Sequence, residues 1–199
     1  MKNGVLALAV LISMGMTSTA QAKQDVCVFD LLGKAGESYK MMEEWRLAAK
    51  GWNADIQLIA YQNEERADED FKAGKCDAGY MATMRARSYN KFAGSVDALG
   101  GVPSNAIAQK AIVYVLDKRN IKRLKTNIDG VDYEVGGIGQ IGPAYIFVKD
   151  KRINTIEKGV GKRFAVLEYD KAQLAMVKRV GAIPVPSDVS DFVSKFNKG

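Results

Sequence analysis

Carboxylate and aromatic side chains lie where predicted strands end, and they are the residues of this sequence best placed to bind a ligand. Glu168, Tyr169 and Asp170 follow one predicted strand and precede a helix. Open α/β sheets bind ligands at the carboxyl ends of their strands, beside the helix N-termini that follow. Carboxylates opposite an aromatic ring favour an amine or another cationic solute over a dicarboxylate. The remaining candidates of this kind are Lys34, Glu37, Ser38 and Tyr80, with Tyr145 at a predicted crossover.

Each of these candidates also has a purely structural interpretation. Asp170 is suited to cap the helix that follows it, Ser38 falls in a first helical turn, and Glu168 is suited to face water. The sequence therefore leaves two interpretations open for every candidate, a ligand contact or an ordinary cap or surface group.

The composition argues against catalysis, because the chain contains no histidine. Ser-His-Asp and Cys-His mechanisms are excluded, as is any zinc site built on histidine. An enzyme would need paired carboxylates or a Ser-Lys arrangement instead, and no such spacing stands out. We therefore expect a protein that binds rather than catalyses, with no cofactor and no metal.

One short motif matches the dinucleotide fingerprint G-x-G-x-x-G, at Gly137, Gly139 and Gly142. That fingerprint works by opening a helix onto a pyrophosphate. Here Pro143 and the apolar residues 144–148 follow, and this pattern is typical of a strand. The glycines therefore predict a tight turn or a close passage of two strands rather than a nucleotide site.

The two cysteines, Cys27 and Cys76, are the residues with redox chemistry. In an oxidising compartment, two cysteines that are the only ones in a chain more often form a disulfide than remain free thiols. Both lie near the beginnings of predicted strands, so a bridge is sterically reasonable if those strands are neighbours. The alternative is two small buried side chains.

The elements that position these residues alternate between strands and helices, which is the pattern of βαβ units around a parallel sheet. In the first part we predict strands at 26–32, 55–61 and 76–82, a helix at 37–50, and a helix capped by Asn63 and ended by Gly74. Further on we predict helices at 83–93 and 104–125 and strands at 133–138 and 144–149. The last part predicts strands at 163–167 and 183–185 and helices at 171–180 and 187–198.

Residues 1–22 are typical of a secretory signal peptide. Lys2 supplies the positive charge, residues 4–16 are apolar, and Ala20-Gln21-Ala22 has the small-x-small cleavage pattern. A retained anchor needs about 20 apolar residues, whereas this run ends in Thr17-Ser18-Thr19. We expect cleavage and export to the periplasm, with no membrane span in the mature chain.

The formal charge of +6 raises the question of nucleic-acid binding. Acidic and basic residues are interleaved along the chain, and an exported protein rarely meets nucleic acid. We interpret the charged residues as part of the solvent-exposed surface and expect no nucleic-acid partner.

Four segments, in this order, resemble the periplasmic solute-binding proteins of TRAP transporters. They are the strand-then-helix start from residues 26–30 to Trp45, the stretch 73–79, the stretch 153–164, and residues 174–186 with Gly181-Ala182-Ile183-Pro184-Val185. The resemblance implies a periplasmic-binding-protein-like (type II) fold with two α/β lobes, a small solute bound between them, and a membrane permease as partner. It implies a signal peptide at 1–22, a first lobe with crossover strands at 23–150 and a partial second lobe at 151–199. Similar proteins are also labelled RND-type efflux pump components linked to aminoglycoside resistance.

The sequence departs from that family in two ways. An arginine of the family clamps a ligand carboxylate with a bidentate fork, and the matching position here is Ala165. The family also continues well beyond a segment like 195–199, so we expect a C-terminally truncated chain. The alternative functions are a soluble docking subunit of an efflux or envelope assembly and a non-functional fragment; a pump itself would need many membrane-spanning helices.

Overall fold

The structure is a computed structural model that describes residues 22–98, 100–142 and 145–198. The predicted signal peptide falls almost entirely on residues 1–21, outside the described residues. Within the described residues, no helix has the length and apolar character needed to cross a bilayer.

A three-stranded parallel sheet forms the first unit. Its strands are β1 (Gln24–Phe29), β2 (Ile56–Tyr61) and β3 (Ala78–Tyr80), in the order β2-β1-β3. Helix α1 (Glu37–Ala49) links β1 to β2, and α2 (Glu64–Lys72) links β2 to β3. The core between sheet and helix contains the buried residues Val26, Val28, Tyr39, Ala49 and Ile56. Burying one such aliphatic side chain contributes roughly 1.5–3 kcal/mol.

Asp30 ends β1 earlier than the sequence predicts. Its carboxylate accepts hydrogen bonds from the backbone N–H of Leu32 (2.9 Å) and of Tyr39 (3.2 Å), which turns the chain into α1. Gly36 makes this possible, because a Cβ there would lie 1.7 Å from Asp30 Oδ1. The strand predicted at 26–32 therefore stops at Phe29, while α1 keeps its predicted start at Glu37.

The cysteine prediction is confirmed. Cys27 on β1 and Cys76, two residues before β3, form a disulfide with their Cα atoms 5.7 Å apart. β1 and β3 are hydrogen-bonded neighbours, as the bridge requires. The Asn63 cap is also confirmed, since its side chain accepts a 2.7 Å hydrogen bond from Arg66 N–H.

The two long helices predicted in the middle of the chain are shorter. Residues 83–93 contain one helical turn, α3 (Thr83–Ala86), before the chain bends into a 3₁₀ helix at Ala93–Asp97. α4 (Asn105–Val115) ends where Asp117 caps a second 3₁₀ helix, Lys118–Leu124, by accepting from Arg119 N–H at 2.9 Å. The cap at Asp117 competes with continuation of the helix, so 104–125 is not one helix.

A hairpin replaces the strands predicted at 133–138 and 144–149. Its strands are β4 (Lys125–Ile128) and β5 (Val131–Glu134), paired antiparallel across Asp129 and Gly130. Both turn residues have positive φ (51° and 85°), which is the conformation that Asp-Gly favours in two-residue hairpins. Ala144 lies outside the described residues, and residues 145–149 are irregular.

The second unit is a smaller βαβ element. β6 (Arg163–Leu167) and β7 (Ile183–Ser187) pair in parallel, with α5 (Lys171–Arg179) between them in sequence. α5 is capped by Asp170, whose Oδ1 accepts from Ala172 N–H at 2.9 Å. α6 (Phe192–Lys198) follows, so the helix predicted at 187–198 begins five residues late, because Ser187 still belongs to β7.

Candidate functional site

The carboxyl ends of the two parallel sheets meet at one set of charged and aromatic side chains. Glu64 begins the helix after β2, Arg85 lies in the helix after β3, and Tyr169 and Asp188 follow β6 and β7. Together with Asp68 of α2, these residues form what we call the Arg85 cluster. Since open α/β sheets bind ligands at this edge, the cluster is the candidate functional site.

Arg85 is the centre of the cluster. Its guanidinium nitrogens lie 3.3 Å from Glu64 Oε2, 3.5 Å from Asp68 Oδ2 and 3.9 Å from Asp188 Oδ2, and its side chain is only 9% exposed. The guanidinium carbon lies 3.9 Å from the centroid of the Tyr169 ring, a cation–π contact. Burial is the largest single influence and would lower the pKa of Arg85, but Glu64, Tyr169 and Asp68 together raise the pKa above its ordinary value.

Glu64 joins three parts of the chain. Its side chain is fully buried, Oε1 accepts a 2.7 Å hydrogen bond from Ala82 N–H, and Oε2 accepts a 2.9 Å hydrogen bond from the Tyr169 hydroxyl. Burial raises the pKa of Tyr169, and the neighbouring charge of Glu64 raises it further. Tyr169 therefore stays protonated and acts as a hydrogen-bond donor from the second unit to the first.

Asp68 anchors the cluster on α2. One oxygen accepts a 2.6 Å hydrogen bond from Lys72 Nζ, and the other accepts from the Tyr89 hydroxyl. Burial, followed by the Asp68 hydrogen bond and charge, raises the pKa of Tyr89. The Tyr89 ring packs against those of Phe71 (5.4 Å between centroids) and Tyr133 (4.9 Å), which ties the cluster to the β4–β5 hairpin.

Two further contacts join the units beside the cluster. Arg87 Nη1 lies 3.7 Å from Asp170 Oδ1, and Gln173 Nε2 lies 3.3 Å from Met84 Sδ. The cluster therefore lies within an interface between the first unit and the second, not on an isolated surface.

Two of the residues predicted from sequence lie in this interface, Tyr169 and Asp170. Glu168 is exposed, and Tyr145 is 72% exposed. Asp170 also caps α5, so the structural interpretation of that residue is confirmed alongside its place in the interface.

The other predicted residues lie around the start of α1 and the end of β3. Lys34 and Glu37 are exposed, and Ser38 is half-buried in the first turn of α1. Tyr80 is half-buried and packs against the first-unit core, and its hydroxyl lies 3.9 Å from the position of a Cβ on Gly139. No described contact joins Lys34, Glu37, Ser38 or Tyr80 to the Arg85 cluster, and a ligand role for them stays a prediction.

Sequence reasoning missed Glu64, Arg85 and Asp188. The sequence pattern indicates Glu64 and Asp188 only as residues that favour helix N-termini, and it places Arg85 inside a predicted helix. The sequence does contain a signal for these three residues. Each of them follows a predicted strand within about five residues, and this is the region where α/β sheets place their functional side chains.

A metal site is not apparent in the described part of the chain, where no group of three or more acidic or cysteine side chains is arranged to hold an ion. The G-x-G-x-x-G segment is irregular through residue 142 and again at 145–148. Gly139 passes close to Met41 Cε and the Tyr80 hydroxyl.

Comparison with known proteins identifies the family. The family described as Solute-binding protein AdeT 1/2 matches residues 42–199. "Probable solute-binding protein AdeT1" of Acinetobacter baumannii is 39% identical over 170 residues, covering 85% of this chain and 55% of that protein. "Probable solute-binding protein AdeT2" of the same organism is 30% identical over 105 residues, covering 53% of this chain and 42% of that protein. The chain spans about half the length of these curated relatives. Since the family match includes the whole Arg85 cluster, the chain belongs to the AdeT 1/2 family of solute-binding proteins.

Proposed function

We propose that this chain captures a small polar or charged solute between its two α/β units and performs no catalysis. The observation that carries the proposal is the Arg85 cluster, where side chains from the carboxyl ends of both parallel sheets meet. A solute held there contacts both units at once, so its binding is coupled to how the units approach each other. The family, described as solute-binding proteins, supports the same role.

The proposal extends to fold and location. A type II periplasmic-binding-protein-like arrangement, with lobes at 23–150 and 151–199, agrees with parallel βαβ elements at both ends of the chain. Export to the periplasm rests on the signal-peptide pattern of residues 1–22. The partner in this account is a membrane permease, of the TRAP class or of an efflux assembly, that receives the solute.

A catalytic role is not part of the proposal. The carboxylates of Glu64 and Asp68 are held by Arg85, Tyr169, Lys72 and Tyr89. Groups fixed in this way are suited to hold a geometry rather than to exchange protons with a reactant.

Thermal unfolding of the purified chain in the presence of carboxylates, amino acids, polyamines and aminoglycosides tests the proposal. A solute that binds only the native state raises the Tm. We expect one chemical class to raise it, and a Tyr169→Phe variant to show a smaller rise than a Tyr114→Phe control, whose side chain is 58% exposed in α4. A cooperative transition that no class shifts would contradict solute capture.

One observation favours a second function, docking onto an envelope assembly. Ile141, Tyr145, Ile146 and Phe147 are 72–80% exposed and form a run of apolar side chains on the described surface. Clusters of exposed apolar side chains mark protein interaction sites in many proteins. Docking becomes the preferred function if the chain unfolds cooperatively and no solute class shifts its Tm.

A further inference from the structure

The interface between the two units contains polar atoms that its own side chains leave unpaired. Among the described residues, four buried side-chain polar atoms have no hydrogen-bond partner: Asp25 Oδ1, Arg85 Nε, Asp170 Oδ2 and Asp188 Oδ2. Three of the four lie in this interface, but Arg85 Nε is a donor 3.3 Å from Glu64 Oε2. The acceptors that the described residues leave without a partner here are therefore the two aspartate oxygens, Asp170 Oδ2 and Asp188 Oδ2. Buried polar atoms in folded proteins are paired in the great majority of cases, so these two oxygens are candidates for hydrogen bonds from a group outside the chain.

The two aspartates share one arrangement. In Asp170, Oδ1 accepts from the backbone N–H groups of Ala172 and Gln173, at 2.9 and 3.2 Å. In Asp188, Oδ1 accepts from the N–H and the hydroxyl of Ser190, at 3.0 and 2.8 Å. In each carboxylate, Oδ1 therefore accepts hydrogen bonds from residues two or three positions later in the chain. The second oxygen, Oδ2, is buried and accepts no hydrogen bond from the described part of the chain.

The neighbouring arginines do not use these acceptors fully. Arg85 Nη2 lies 3.9 Å from the free Asp188 Oδ2, whereas Arg87 Nη1 approaches Asp170 on its other oxygen, Oδ1, at 3.7 Å. Both distances are within ion-pair range but longer than a hydrogen bond. Asp170 is the stronger indication of a ligand, because its side chain is only 3% exposed.

The charges around the interface are not balanced. The ion pairs described in this interface join four carboxylates, Glu64, Asp68, Asp170 and Asp188, to three cations, Lys72, Arg85 and Arg87. A buried excess of negative charge is costly unless a cation is supplied. A positive group bound in this interface would offset the excess.

The contacts of Arg85 show which chemistry this place accommodates. A planar cation lies over the Tyr169 ring with carboxylates around its edge. Aromatic faces attract ammonium and guanidinium groups alike. A dicarboxylate would instead face carboxylates. Arg85 and Arg87, the arginines beside them, already pair with acidic side chains, and the position that matches the ligand-binding arginine of TRAP-transporter proteins is Ala165.

We propose that the solute is an organic cation whose ammonium or guanidinium group donates hydrogen bonds to Oδ2 of Asp188 and Asp170, beside Arg85 and Tyr169. This inference rests on the proposed function, because it names the chemical class of the solute that the chain captures. It makes Asp188 and Asp170 binding residues in addition to their backbone caps.

Isothermal titration calorimetry with the full chain tests the inference, using agmatine and putrescine as cations and succinate as a dianion. We expect the cations to bind and succinate not to bind. Asp188→Asn and Asp170→Asn remove the charge while keeping a side chain that can cap, since asparagine is as good a cap as aspartate. Each is expected to weaken cation binding about tenfold or more, as for loss of a hydrogen bond to a charged group. Asp132→Asn is the matched control, because it removes the same charge from an exposed position in the β4–β5 hairpin.

The outcomes distinguish an error in the chemical class of the solute from an error in the proposed function, solute capture. Binding of succinate or of a neutral solute, without binding of either amine, overturns the cation class and leaves solute capture standing. Amine binding that both aspartate variants retain overturns the assignment to this interface. If no compound of any class binds the wild-type chain, the proposed function and the inference fail together. The wild-type comparison of agmatine, putrescine and succinate decides the charge class even if a variant fails to fold.

Discussion

The hydroxyl of Tyr169 donates a 2.9 Å hydrogen bond to the fully buried carboxylate of Glu64, 105 residues earlier in the chain. This bond joins the loop after β6 to the first turn of α2, so it connects the two α/β units directly. The same tyrosine ring lies against the Arg85 guanidinium. Tyr169 therefore joins the second unit to the charged cluster both by a hydrogen bond and by a ring contact.

Replacing Tyr169 with phenylalanine tests this connection. The variant removes the hydroxyl that donates a hydrogen bond to Glu64 Oε2, and it keeps the aromatic ring over Arg85. Loss of a hydrogen bond to a buried charged acceptor is expected to lower the free energy of unfolding by about 1.5–3 kcal/mol. Urea denaturation measures the change. Tyr145→Phe is the control, since that side chain is 72% exposed, and an equal loss in both variants would refute the role of the bond.

Replacing Arg85 with methionine tests the charge balance of the cluster. Without the guanidinium, Glu64 and Asp68 remain buried and lose their shared counter-charge. Breaking a buried ion pair in this way is expected to cost about 3–5 kcal/mol of unfolding free energy. Arg152→Met, at a position 85% exposed and paired with Asp150, is expected to change the free energy of unfolding little, because water screens an exposed ion pair. Similar midpoints of urea unfolding for the two variants would argue against a buried pair at Arg85.

Gly36 is expected to resist substitution for a steric reason. A Cβ at this position would overlap the Asp30 carboxylate, which holds the turn into α1. Gly36→Ala is therefore expected to destabilise the chain by about 1–3 kcal/mol. Gly51→Ala is the matched control, because a Cβ there meets no atom within 4 Å. Thermal unfolding that gives the same Tm for both variants would contradict a steric role for Gly36 in the turn.

Asp117 gives a pH-dependent prediction. Its side-chain hydrogen bond from Arg119, together with the Arg119 backbone N–H, lowers the pKa of Asp117 from 3.8 to about 2. Because the folded-state pKa is depressed, the contribution of this group to stability is complete above its unfolded pKa and disappears as the pH falls through about 2.

An NMR titration of the Asp117 carboxyl checks this shift. The expected midpoint is about pH 2 in the wild-type chain, and it moves upward in Arg119→Ala. Arg152→Ala, which removes an exposed arginine from another segment, is expected to leave it in place. An unchanged midpoint in Arg119→Ala would refute the Arg119 hydrogen bonds as the cause of the lowered pKa.

Local signals in the sequence predict much of the fold. α1 begins at Glu37 as predicted, because the glycine before it and the apolar spacing along it are properties of one short segment. The same holds for the Asn63 cap, for β6, and for α5 behind Asp170. The bridge between Cys27 and Cys76 is predictable because the cysteines are assigned to two neighbouring strands, although Cys27 lies inside β1 and Cys76 two residues before β3.

The errors come from competing local signals. Asp117 interrupts a run of helical spacing, and its side chain caps the 3₁₀ helix that follows α4. Asp129-Gly130 is a strong hairpin signal, but the apolar residues further along favour strands in the wrong place.

For the candidate site, Tyr169 and Asp170 are predictable from their place after a strand. The partners of Tyr169 are Glu64 and Arg85, and the partner of Asp170 is Arg87. These partners lie about 80–105 residues away in sequence, and only the tertiary fold brings them together.

Hydrogen exchange followed by mass spectrometry, with and without a solute that raises the Tm, tests the central claim most directly. If the solute binds between the two units, amides of both the segment 62–89 and the segment 163–190 exchange more slowly in its presence, because both contribute to the Arg85 cluster. Protection confined to one of these segments, or to neither, would contradict capture between the units.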